Sequence, residues 1–188
     1  MKGIVRYARL AAIGLIAASG FAAAAQQAPA IEDRIINSPS VRSISIQGLR
    51  AAPKPRKDAG VQAGEALRVA VPGKSDQPWT IAASTPIQKP VKAGDEIVLA
   101  FWARLEKGAE GATTATLPYN AVQLSSAPYT PLFNGPAEIG PEWKMHEIRG
   151  KADKDYPAGA LVVSMHLATG KQTVDLGPVF VLDMGAAN

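Results

Sequence analysis

The chain is predicted to fold as an all-β sandwich of two antiparallel sheets with about eight strands. Three observations carry that expectation. Between Gly64 and Asp183, successive short segments alternate apolar and polar residues with a period of two, the mark of half-buried strands. Clusters of Gly, Pro, Asp and Lys punctuate them, as at Pro72 to Gln77 and Lys92 to Asp95. No stretch from Gly64 to Asn188 offers a long amphipathic helix, so two sheets burying their apolar faces against each other make the economical core.

Residues 1–25 stand apart from this pattern. Lys2, Arg6 and Arg9 give a positive front, Leu10 to Ala22 is almost entirely apolar, and Ala23-Ala24-Ala25 supplies the small residues a signal peptidase needs. The apolar run is short for a membrane span. The expected destination is the periplasm or the medium, with no membrane attachment after cleavage. Three of the twenty Lys and Arg lie in this segment and none of the sixteen Asp and Glu, so the +4 of the 188-residue chain falls to about +1. A near-neutral mature chain excludes nucleic acid as the expected partner. With no cysteine, neither a disulfide framework nor a thiolate metal site is available.

Residues 26–40 read as a mobile or irregular leader, in which Ile31 to Asn37 is either a short helical turn or an irregular lead-in, and residues 41–185 as the sandwich. Val41 to Ile46 alternates well enough for a first strand. Ala51 to Gly60 (AAPKPRKDAG) combines two prolines with basic residues and reads as a solvated loop. Ala66 to Val71 places Leu67, Val69 and Val71 on one side. Trp79 to Ala83 follows a polar turn, and Glu96 to Arg104 sets Ile97, Leu99, Phe101 and Ala103 against Val98, Ala100, Trp102 and Arg104. After a flexible connection at Lys107 to Thr114 come Tyr119 to Ser125, Glu142 to Arg149 entered by Trp143, and the strongly alternating Ala160 to Leu167. A last strand at Thr173 to Leu182 is interrupted or edged by Gly177-Pro178.

Three phrases carry more than periodicity: GEALRVAVPGKSDQPWTI (Gly64 to Ile81), PVKAGDEIVLAFWARLEKG (Pro90 to Gly108) and AVQLSSAPYTPLFNGPAEIGPEWKMHEI (Ala121 to Ile148). In this order they resemble the carbohydrate-binding modules of the CBM4/9 type, among the galactose-binding-like jelly rolls. LVVSMHLATGKQTVDLGPVFVLD (Leu161 to Asp183) resembles the closing pair of strands. The resemblance implies a jelly roll whose concave sheet receives a sugar chain, as an accessory to a glycoside hydrolase. It also raises a structural calcium ion. Here, however, Gly177 and Pro178 stand where the family often has an acidic pair, flanked by Asp175 and Asp183, and Ile31 to Asn37 lacks the Asn-Gly-Asp/Glu phrasing.

Sugar recognition needs flat apolar surfaces for pyranose C–H faces and amides or charges for hydroxyls. Trp79, Trp102 and Tyr129 are candidate platforms, while Trp143 at a strand entry reads as packing. Alternation puts Gln123 opposite Val122 and Leu124, and Ser164 and His166 opposite Leu161, Val163, Met165 and Leu167. Gln123, His166, Trp102 and Arg104 are therefore expected on one concave face, with Tyr129 at its rim in the SSAPYTPLFNG loop; a plain solvated face is the alternative. Catalytic signatures are missing: there is no Gly-x-Ser-x-Gly elbow or phosphate-binding glycine loop, and no carboxylate pair falls on that face. The expected function is a non-catalytic exported module holding oligosaccharide or polysaccharide. The alternative is a structural or adaptor domain contacting an envelope protein or a partner glycoside hydrolase.

Overall fold

The computed structural model describes residues 30–186, so the expected signal segment and residues 26–29 lie outside the described residues. Ten strands are arranged as two five-stranded sheets: β1 (Ser45–Gln47), β2 (Pro55–Lys57), β3 (Glu65–Val71), β4 (Ala82–Pro86), β5 (Asp95–Lys107), β6 (Ala115–Leu124), β7 (Pro131–Ile139), β8 (Lys144–Lys151), β9 (Leu161–His166) and β10 (Gln172–Ala186). The first sheet runs β1-β4-β9-β6-β7 and the second β2-β3-β10-β5-β8. Every pairing is antiparallel. This is the expected β-sandwich, consistent with a jelly roll.

The alternation seen in the sequence sorts side chains as expected. Ile97, Leu99, Phe101 and Ala103 of β5, Leu67 and Val69 of β3, and Val174 and Leu176 of β10 face Leu161, Val163 and Met165 of β9 and Val122 of β6 in one continuous core. Each large side chain fully buried there stabilises the fold by about 1.5–3 kcal/mol relative to exposure. Gly177-Pro178 coincides with a register shift in the β10–β5 pairing between Leu176 and Val179, which is the expected interruption of the last strand.

Several expectations are corrected. The two additional strands, β2 and β7, fall in segments expected as loops. Both are sheet edges, and each begins with a proline, Pro55 or Pro131, whose missing N–H costs nothing at an edge. Val41–Ser43 forms a 3-10 turn before β1, because the Ser40 hydroxyl accepts from the Arg42 amide at 3.2 Å. Trp79 lies in a 3-10 turn, Pro78–Thr80, rather than opening a strand. Pro78 presets φ there, and the Thr80 amide and hydroxyl both donate to the Gln77 carbonyl, at 2.9 and 2.8 Å. The segment before Val41 opens with a short 3-10 turn at Ile31–Arg34, within the stretch read as a helical turn or irregular lead-in, and is packed rather than mobile. Ile36 is buried, and the Asn37 side chain donates to the Val179 carbonyl and accepts from the Val181 amide, both at 2.8 Å, tying the entry of the domain to β10.

Among the described residues no helix is long and apolar enough to cross a membrane.

Candidate functional site

The outer faces of the two sheets differ in chemistry. On the first sheet, β4, β9 and β6 turn Ala82 and Ser84, Val162, Ser164 and His166, and Gln123 outward. The Pro78–Thr80 turn lifts Trp79 over one side and the loop after β6 carries Tyr129 over another. Together they border an open groove of about 730 Å³.

Three rings organise its floor. Tyr119 and His166 stack, centroids 4.1 Å apart and planes 15° from parallel, and Trp79 is tilted against His166 at 6.0 Å and 55°. Trp79 is 55% exposed. The Tyr119 hydroxyl donates to Gln123 Oε1 at 2.9 Å, which leaves Gln123 Nε2 as a donor without a protein partner among the described residues. Burial lowers the His166 pKa below its ordinary value and raises that of Tyr119, so both rings are neutral near pH 7. Tyr129, 56% exposed, holds φ at +56°, a left-handed conformation that costs a non-glycine residue about 1–2 kcal/mol.

Polar lining comes from amides, hydroxyls and one imidazole: Gln47, Ser84, Gln123, Ser125, Ser164 and His166. No carboxylate lines the groove among the described residues, so the paired acids of glycoside hydrolysis are not assembled there. Neutral rings beside amides and hydroxyls can hold a polyhydroxylated ligand by stacking and hydrogen bonding.

Four of the expected site residues, Trp79, Gln123, Tyr129 and His166, meet in this groove. Trp102 and Arg104 do not. Alternation correctly turned them away from Phe101, but their strand, β5, pairs with β10 and β8 in the second sheet, so they face outward on the opposite side of the sandwich. Trp102 Nε1 donates to Gln62 Oε1 at 3.1 Å. Arg104 lies 5.0 Å over the Trp143 ring and donates from Nε to Asp175 at 2.9 Å.

Asp175 is fully buried at the centre of that second face. It also accepts from Arg68 at 2.8 and 3.0 Å and from Arg56 at 2.7 Å. Burial pushes the carboxyl upward, but the hydrogen bonds from Arg68 and Arg104 and the charges of Arg56 and Arg68 outweigh it and hold the pKa below the usual carboxylate value. The basic loop at Ala51 to Gly60, expected to be solvated, thus contributes Arg56 to a buried ion cluster. Val61 packs in beside it: a Cβ on Gly177 would come within 2.6 Å of Val61 and 2.8 Å of Trp102. This face is a closed structural cover.

Of the acidic positions the sequence singled out, Asp175 does not fit a calcium site. Asp175 is committed to three arginines. Asp183 has a pKa raised by burial and by neighbouring Asp95, with the Arg34 charge already beside it. No group of three or more His, Asp or Glu that could hold a metal occurs among the described residues.

Tyr119 was not among the expected site residues, although it has the same parity as Gln123 in the alternation of β6 and that signal would have found it.

The sequence matches no protein-family model and no curated protein. Solved structures do match. A CBM4 module aligns at TM-score 0.56 with 13% identity, over 76% of this chain and 95% of that one. The second N-terminal cellulose-binding domain of Cellulomonas fimi β-1,4-glucanase C aligns at 0.54 with 19% identity, over 82% of this chain and 93% of that one. The CBM22-1 xylan-binding domain of Paenibacillus barcinonensis Xyn10C aligns at 0.51 with 12% identity, over 82% and 94%. The chain therefore shares the β-sandwich fold of these modules.

Proposed function

We propose that the protein is an exported, non-catalytic carbohydrate-binding protein of the CBM4/9 type, holding an oligosaccharide or polysaccharide in the groove on the first sheet. The observation that supports this is the Trp79–His166–Tyr119 ring cluster beside Gln123 in an open groove without carboxylates. Its role is to keep sugar chain close to a partner glycoside hydrolase. An adaptor role would be favoured by a plugged hydrophobic concavity. The groove is instead open and lined with amides and hydroxyls.

The test is a binding screen against xylans, β-glucans, mannans and simple hexoses. Trp79 exposes about half of its side chain, and a pyranose lying on it covers about 60 Å² of apolar surface; at ~25 cal/mol per Å² that is ~1.5 kcal/mol, or about tenfold in Kd. Trp79→Ala and Gln123→Ala are each expected to weaken binding, and a correctly folded Trp102→Ala variant is expected to bind like the parent. Saturable binding that is insensitive to both groove variants would refute the reading.

A further inference from the structure

The ring-lined groove does not end at Trp79. Pro78 and Pro118 line both it and a neighbouring hollow of about 430 Å³ at the end of the sandwich. That hollow in turn shares Lys74, Thr169, Gly170 and Gln172 with a third, of about 940 Å³, which runs against Lys107 and Lys171. The three hollows adjoin through these shared residues in a row, neutral and aromatic at one end and cationic at the other.

The charge along this row is local. The chain without its N-terminal 25 residues carries only about +1, yet the extension holds Lys74, Lys107 and Lys171 against a single carboxylate, Glu110. All three lysines are exposed, and none forms an ion pair with another described residue. The second face of the sandwich shows the contrast: there Arg56, Arg68 and Arg104 are matched by Asp58, Glu106 and Asp175. Unmatched ammonium groups on flexible stems, in line with a stacking platform, fit a chain that brings its own negative charges.

From this adjacency we infer that the ligand is an acidic polysaccharide, its neutral sugar faces on Trp79 and Tyr129 and its carboxylates along Lys74, Lys107 and Lys171. The inference rests on the carbohydrate-binding reading of the groove and names the substrate class.

Two matched pairs of probes test it: polygalacturonate against its fully methyl-esterified form, and glucuronoxylan against the same polymer with its carboxyl groups reduced. The acidic member of a pair is expected to bind on the order of tenfold more tightly at low salt, since three solvated ion pairs each contribute a modest factor. That preference should fade toward 1 M NaCl, where the screening length is about 3 Å. Replacing the three lysines together by Gln should abolish the preference while leaving binding of the neutral member intact, and Trp79→Ala should weaken both. Equal affinity for acidic and neutral members, or a preference that survives the lysine replacements, overturns the inference while the carbohydrate-binding reading stands. Acidic binding that needs the lysines but not Trp79 overturns the joint use of groove and hollows. Binding to neither member of either pair, nor to the neutral panel, overturns both readings.

Discussion

Replacing Asp175 by Asn is expected to destabilise the fold strongly without touching the groove. The carboxylate is fully buried and receives hydrogen bonds from three guanidinium groups at 2.7–3.0 Å, so the amide leaves three positive charges sharing only the two outer carboxylates, Asp58 and Glu106. Removing one member of a buried ionic cluster typically costs about 3–5 kcal/mol. Here the arginine side chains are 23–39% exposed and can turn partly toward water, which places the expected loss near the lower end, about 3 kcal/mol. For a domain of this size that is roughly 6–12 °C in Tm. The assay is urea unfolding of parent and variant between pH 7 and pH 2.5. Asp175 has a folded pKa below its unfolded value, so its contribution is complete above about 3.8 and is lost as pH falls through the lower, folded pKa. The gap between the two proteins should therefore be full at pH 7 and narrow under acid. A loss under about 1 kcal/mol at pH 7, or a gap that widens with acid, would refute the assignment of this cluster as the structural clamp of the second face.

The remaining predictions concern packing and a second titration. Gly177→Ala is expected to lower stability by about 1–3 kcal/mol in chemical denaturation, because the new methyl group has to displace Val61 or Trp102; an unchanged midpoint would mean the covering loop yields freely. His146 is buried against Phe101 at 5.4 Å with Nε2 unpartnered, and burial, aided by the Lys144 charge, lowers its pKa. The unfolded chain then binds the extra proton first, so stability is complete above about pH 6.5 and declines as pH drops toward the folded pKa. His146→Gln should flatten that slope between pH 7 and 5, leaving the share due to His166; an identical slope in the variant would show that His146 does not contribute to it.

What the sequence made legible, and what it hid, divides along a physical line. Alternation is a local property, and it correctly separated Phe101 from Trp102, Met165 from His166 and Val122 from Gln123. Which sheet a strand joins depends on hydrogen bonds to residues far along the chain, so nothing in FWAR reveals that β5 pairs with β8 and β10 while β6 pairs with β7 and β9. Trp102 and Arg104 were grouped with Gln123 for that reason. The Asp175 cluster was hidden in the same way, because it draws side chains from β2, β3, β5 and β10. The strands β2 and β7 escaped because proline is a strand breaker everywhere except at an edge, and being an edge is a property of the assembled sheet.

The two outer faces differ in how far folding alone accounts for their side chains, and that difference locates the function. On the second face most of the notable side chains are held by partners within the fold, since the arginines meet carboxylates, Trp102 donates to Gln62, and the Trp143 ring carries the Arg104 guanidinium, although Arg56 Nε and Trp143 Nε1 are buried without a hydrogen-bond partner. On the first face that explanation fails. The turn at Pro78–Thr80 is closed by Pro78 and by the bonds from Thr80 to Gln77, so folding makes no demand for an indole at Trp79, which leaves more than half of its surface in water. An exposed indole that its own turn does not require is where a fold gives up local consistency for binding. The three lysines that line the adjoining hollows add a local positive charge that an acidic sugar chain would match.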